Sequence, residues 1–209
     1  MQAAANNEAD TDRELIQALL EAARDFGARG WTPATSGNYS VRLDDGTLLV
    51  TRSGADKRRL ATTDLMRLDA EGTPLEDSRP SAEASLHVQI YRHDPTARAV
   101  LHVHSPAATV MSRRAAIEGV VRLENYELLK ALRGVETHAL TVELPVVAND
   151  QDMARLAAAL EPGFTHPACP PAYLIEGHGI YAWGTDVAEA ARHLEALDFI
   201  LECELLETR

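Results

Sequence analysis

Hydrophobic and polar positions along this chain follow two periods, near 3.6 and near 2, which mark helices and strands. Leu15, Leu19, Ala22, Ala23 and Phe26 recur at helical spacing behind Thr11-Asp12-Arg13-Glu14, a capping-box pattern, and Gly27 and Gly30 close that helix. Residues 1–10 are polar and are expected to form a frayed, flexible N-terminus. Tyr39–Leu43 and Leu48–Thr51 predict two strands joined around Asp45-Gly46, a hairpin signal. Thr62–Leu68 predicts a short helix running into a strand. Pro80-Ser81 opens a helix to about His93, with Leu86, Ile90 and Tyr91 on one face.

Val100-Leu101-His102-Val103-His104 reads as the next strand, and Ser105-Pro106 has the N-cap and first-turn chemistry of a helix over Ala107–Arg113. Glu124–Leu132 predicts a helix stopped near Gly134. Thr141–Val147 predicts a strand whose Pro145 suits an edge or a strand end. Asp150 is placed to cap a helix over Gln151–Leu160. Strands Tyr173–Glu176 and Ile180–Trp183 flank Gly177-His178-Gly179. A long last helix begins at Thr185 or Asp186 and buries Val187, Ala191, Leu194, Leu197, Leu201 and Leu205. This mixture, with many strands joined directly, implies an α/β protein with a single mixed sheet covered by helices on both faces. No repeat, linker or low-complexity tract interrupts it, so residues 11–209 are expected to form one domain.

The chain has 209 residues, 45% of them hydrophobic and 25% charged, enough for a sizeable core. Its formal net charge of −12 argues against nucleic acid or an anionic membrane as the main partner, because such surfaces are met by clustered Lys and Arg. An anionic small molecule stays compatible with a local basic pocket. Cys169 and Cys203 form no Cys-x-x-Cys spacing, which suits a reducing compartment. With no long apolar run and no signal-peptide core, the expected location is cytoplasmic.

Candidate chemistry starts at His102 and His104. Two apart on a strand, they share a face with Val100, while Leu101 and Val103 share the other. Buried imidazoles need partners. One metal ion would serve both, and catalytic zinc sites commonly take three protein ligands. Among the other histidines, His178 is the best-placed third ligand, because flanking glycines let the backbone turn sharply and approach another group. His87 and His193 read as ordinary helix residues, and His93, His138 and His166 as residues of element ends and connections. Thr35–Asn38, Ser53-Gly54 and Ser81 are small-residue turns of the kind that cradle phosphate, though none forms a P-loop. Arg52, Lys57, Arg58 and Arg59 crowd one turn beside Ser53-Gly54 and would favour a phosphate dianion. Glu83 stands in a helix first turn, where dipole complementation explains a negative charge as well as catalysis does. Glu127 and Lys130 are three apart and could simply pair.

In chain order, Ser36-Gly37-Asn38, Ser53-Gly54, Pro80-Ser81-Ala82-Glu83, His102-Val103-His104-Ser105 and Gly177-His178-Gly179 resemble the class II sugar-phosphate aldolase and adducin-head family over roughly residues 12–206. Gly30-Trp31-Thr32-Pro33-Ala34-Thr35, Asn125-Tyr126-Glu127-Leu128, Asn149-Asp150-Gln151-Asp152 and His178–Gly184 are similar to the dehydratase branch of that family, which serves methionine salvage. The resemblance implies a three-layer α/β/α sandwich, Zn2+ on His102, His104 and His178, and substrate phosphate near Asn38, Ser53, Gly54 and Ser81. It also implies a homotetramer with sites near subunit boundaries. In the aldolase branch the counterpart of Glu83 moves protons; in the dehydratase branch the counterpart of Glu127 does, and the expected proton carrier here is Glu127. Where those aldolases have Ser-Ser-Glu, this chain has Ser81-Ala82-Glu83 and lacks one hydroxyl. The expected activity is dehydration of a ketose phosphate. The alternatives are an aldolase or epimerase of the same fold, a non-catalytic adducin-like domain, which would not need the histidines, and a cupin, which would want a carboxylate soon after His104.

Overall fold

The computed structural model describes residues 2–164 and 170–207, so His166 and Cys169 lie outside the described residues. Strands β1 (Asn38–Arg42), β2 (Leu48–Thr51), β3 (Leu65–Leu68), β4 (Ala99–Val103), β5 (Val120–Leu123), β6 (Val142–Val147), β7 (Ala172–Ile175) and β8 (Gly179–Gly184) form one sheet in the order β3-β2-β1-β4-β8-β7-β6-β5. All pairings are antiparallel except β6 with β7, which α4 (Met153–Phe164) separates in sequence, as a parallel crossover requires. Helices α1 (Gln2–Ala28), α3 (Pro106–Arg114) and α5 (Val187–Glu207) cover one face, where Leu19, Ala108 and Leu197 pack with Tyr39, Leu101 and Val103. Helices α2 (Ala84–His93) and α4 cover the other, where Leu86, Ile90 and Leu156 pack with Val50, Val100 and Tyr181. The two sides of β4 thus follow its alternation. Among the described residues, no helix is long and apolar enough to cross a membrane.

Several boundaries differ from the sequence expectation, each for a local reason. Nothing in Gln2–Asp10 breaks a helix, and α1 starts before the Thr11–Glu14 pattern. Helix α2 begins at Ala84 rather than Pro80-Ser81, because the backbone N–H of Ser81 bonds to Thr51 O at 3.3 Å and Pro80 bridges to Arg52. The expected helix over 124–132 is a 3-10 turn, Glu127–Ala131. Asp152 rather than Asp150 caps α4, accepting from Ala154 N at 2.9 Å. Strand β6 is not at the edge: β5, which has no strong sequence signal, pairs along it and puts Val120 opposite Pro145.

Candidate metal centre and active site

Three neighbouring strands build the floor of the site. Asn38 on β1 and Tyr181 on β8 stand directly opposite His102 on β4, so all three side chains project to the α2 face. Tyr181 stacks on the His102 ring at 4.0 Å between centroids. His104 lies just past β4, its backbone N–H held by Trp31 O at 2.9 Å. His178 arrives from the β7–β8 turn, where Gly177 takes φ +60°. Gly179 is required for close approach: a Cβ there would lie 2.2 Å from Val103 O and 3.1 Å from His102 Cε1.

The three Nε2 atoms converge. His102 Nε2 is 3.0 Å from His104 Nε2 and 3.3 Å from His178 Nε2, and the cluster's ligand atoms all lie within 4.8 Å of one another. His102 Nδ1 donates to Ile180 O at 3.0 Å, which leaves Nε2 of the neutral ring as an acceptor. Burial drives the His102 pKa well down, and burial first, then His178, takes that of His104 to about 4. Glu83 closes the arrangement, 3.1 Å from His178 Nε2 and 3.4 Å from His102 Nε2. His102 and His104, held neutral, therefore turn acceptor nitrogens toward each other and toward the Glu83 carboxylate. A divalent cation held by the three Nε2 atoms relieves that conflict, and the donor set suits one.

Glu83 is the N-cap residue of α2, yet its side chain does not cap the helix. It accepts from Asn38 Nδ2 at 2.6 Å and from Tyr181 OH at 2.8 Å. Burial alone would raise its pKa, but the neighbouring His102 and His178 and the bond from Asn38 outweigh burial and hold the group well below the usual carboxylate range. The helix-dipole explanation of Glu83 is thus replaced by a specific cradle.

The expected phosphate residues divide. Ser53 N bonds to Arg79 O at 3.3 Å, which brings Ser53 and Gly54 alongside Ser81, while Gly54 takes φ +77°. Asn38 is 4% exposed and its amide is engaged by Glu83 and His87 instead. The basic cluster also divides. Arg52 pairs with Glu76 and Arg58 with Asp56, whereas Lys57 turns inward and donates to Thr35 O at 2.9 Å and Ala55 O at 2.8 Å. Burial lowers the Lys57 pKa, opposed by Asp56, Glu83 and Asp64. Lys57 thereby ties two of the three small-residue turns together. Thr32 and Ser36 in the adjoining turn hold buried hydroxyls with no hydrogen-bond partner among the described residues.

Glu127 lies elsewhere on this chain. It is exposed on its 3-10 turn and pairs with Lys130 and with His138 at 3.6 Å. His87 and His193, read as ordinary, are both fully buried and bonded through both ring nitrogens. Tyr181 and His87 were missed as site residues, and Lys57 was singled out only as one of four cations crowding a turn. For His87 a signal existed: Glu83, His87 and Tyr91 are spaced four apart and so share one helix face.

A sequence model of the family described as Class II Aldolase and Adducin N-terminal domain matches residues 17–205. The chain belongs to that family. Among its relatives is the methylthioribulose-1-phosphate dehydratase of Methylococcus capsulatus, 51% identical over 201 residues, 96% of each chain. Among solved structures of similar fold are YgbL of Escherichia coli (TM-score 0.80, 26% identity, covering 94% of this chain and 90% of that one) and the L-fuculose-1-phosphate aldolase of Thermus thermophilus (TM-score 0.70, 28% identity, covering 93% and 94%). The layers expected of this class II aldolase fold are those observed.

Proposed function

We propose that this protein is a zinc-dependent hydro-lyase that converts 5-methylthioribulose 1-phosphate to 2,3-diketo-5-methylthiopentyl 1-phosphate, acting in the cytoplasm as a homotetramer in methionine salvage. The reading is carried by one combination: a partly buried three-histidine centre with an ionised carboxylate beside it, in a chain 51% identical along 96% of its length to a methylthioribulose-1-phosphate dehydratase. His102, His104 and His178 would hold the metal, which when bound supplies Lewis acidity to the substrate's C2 carbonyl and C3 hydroxyl.

The protein's own residues then bind, orient and move protons. The Ser53-Gly54 backbone and the Ser81 hydroxyl receive the phosphate, with the Lys57 ammonium behind them. In the elimination a base takes the C3 proton, the C3 electron pair forms the C3–C4 double bond, and the C4 hydroxyl departs as water on protonation. The resulting enol takes a proton at C4 to give the 2,3-diketone. Glu127 is assigned this proton traffic. Because it is exposed on its own chain, it would serve the histidine centre of a neighbouring subunit. Glu83, bonded to Asn38 and Tyr181, keeps a fixed negative charge beside the centre and orients what binds there.

The test is incubation of the purified, metal-loaded protein with methylthioribulose 1-phosphate. Release of water and appearance of the diketone with the carbon chain intact is the expected result. Products of C3–C4 cleavage would instead establish the aldolase alternative, since both reactions would draw on the same histidine-held Lewis acid.

A further inference from the structure

Between α2 and β1, a polar seam crosses a face that is otherwise apolar. Glu83, His87 and Tyr91 are four apart on α2, and Asn38, Ser40 and Arg42 are two apart on β1, so one helix face meets one strand face. Tyr91 OH lies 2.8 Å from Ser40 Oγ, which lies 2.7 Å from His87 Nδ1. His87 Nε2 contacts Asn38 Oδ1, and Asn38 Nδ2 donates to Glu83 Oε2 at 2.6 Å. Asn38, Ser40, His87 and Tyr91 are each at most 5% exposed. At the far end the Arg42 guanidinium sits over the Tyr91 ring, 5.2 Å from its centroid.

The hydrogens along this seam have one consistent arrangement. A carboxylate only accepts, so the Asn38 amide nitrogen faces Glu83 and its oxygen faces His87. His87 must then donate from Nε2, which leaves Nδ1 of the neutral ring to accept from the Ser40 hydroxyl, and Ser40 accepts from Tyr91. Every donor points toward Glu83. Burial keeps the ring neutral, taking the His87 pKa to about 4. An apolar replacement could fill the same space without the risk of unsatisfied groups, so a fully bonded seam that ends on the site's carboxylate is informative.

We propose that His87 is a positioning residue: held as the Nε2–H tautomer by Ser40 and Tyr91, it fixes the Asn38 amide so that Glu83 keeps one orientation beside the histidine centre. This rests on the reading of Glu83 as a working group of that centre. Two measurements test it on the full-length, metal-loaded protein. Nitrogen NMR of 15N-histidine-labelled protein reports the tautomer directly, and the Nε2–H form is expected for His87. His87→Gln keeps a donor at the ε position, whereas His87→Asn and His87→Phe do not. The expected pattern is a kcat lowered on the order of 10-fold or more in Asn and Phe, with KM nearly unchanged and substantial recovery in Gln. An Nδ1–H tautomer overturns the proposal, and so does a Phe variant with normal kcat. Normal turnover by Glu83→Gln would refute the reading of Glu83, an outcome distinct from a reversed tautomer.

Discussion

Lys57 differs from the arginines around it. Arg52 and Arg58 are paired with Glu76 and Asp56, so their charges are largely met at the surface. The Lys57 ammonium is buried, with two carbonyls as partners, and a buried charge acts over distance with little screening. Lys57→Met should therefore raise KM for the phosphorylated substrate about 10-fold or more, the scale of one charge-assisted bond, with metal content unchanged. Steady-state kinetics beside metal analysis checks this, and an unchanged KM would remove Lys57 from the phosphate site. Nothing local announces its burial. Lys57-Arg58-Arg59 has the composition of a solvated turn, and the deciding partner, Thr35 O, comes from a loop 22 residues away. His102, His104 and His178 were legible because strand alternation and flanking glycines are local, whereas the role of Asn38 depends on how α2 docks on β1.

At the scale of elements, periodicity located the long helices and the β1–β2 hairpin, and competition for backbone bonds moved their ends. Ser81 bonds to Thr51 and delays α2, and β5 became a strand only by pairing with β6. The long α5 carries a further polar group on its buried face. Asp198 is 6% exposed and accepts from the hydroxyl of Ser105, the N-cap of α3 that directly follows His104. Burial, with help from Glu202 and against the Ser105 bond and Arg29, raises the Asp198 pKa to about 6. Unfolded, the same carboxyl ionises near 3.9, so between these values the folded chain holds a proton that the unfolded chain has lost. Stability from this group is full below about pH 4, falls as pH rises through about 6, and is constant above. Asp198→Asn retains an acceptor for Ser105 and has no charge to bury. It should raise Tm at pH 8 by about 4–12 °C, the equivalent of roughly 2–3 kcal/mol, and by much less near pH 4. Thermal unfolding at both pH values is the measurement, and an equal offset at the two would contradict the assignment.

The whole molecule raises the question of where Glu127 acts. On its own chain its carboxylate is occupied by Lys130 and His138, while the histidine centre holds Glu83. The segment is nevertheless firmly placed: Tyr126 OH donates to Glu204 at 2.8 Å and Arg133 N to His193 at 3.2 Å, both on α5. Beside it, Leu128 and Phe199 expose 40% and 54% of their surface, apolar area of the kind a subunit contact covers. A rigid, exposed carboxylate next to exposed apolar groups fits a role across a subunit boundary in the proposed tetramer. The test uses two variants inactive for different reasons: His102→Ala, which removes a metal ligand, and Glu127→Gln, which removes the proton carrier. Co-expressed with separate tags and purified as mixed oligomers, they should recover up to about one quarter of wild-type activity, because random assembly joins an intact centre to an intact Glu127 in about that share of sites. If Glu127 served its own chain, every site would lack one group or the other and mixing would restore nothing. If Glu127→Gln alone were nearly normal while Glu83→Gln was inactive, the proton carrier would be Glu83 and the chemistry closer to that of an aldolase.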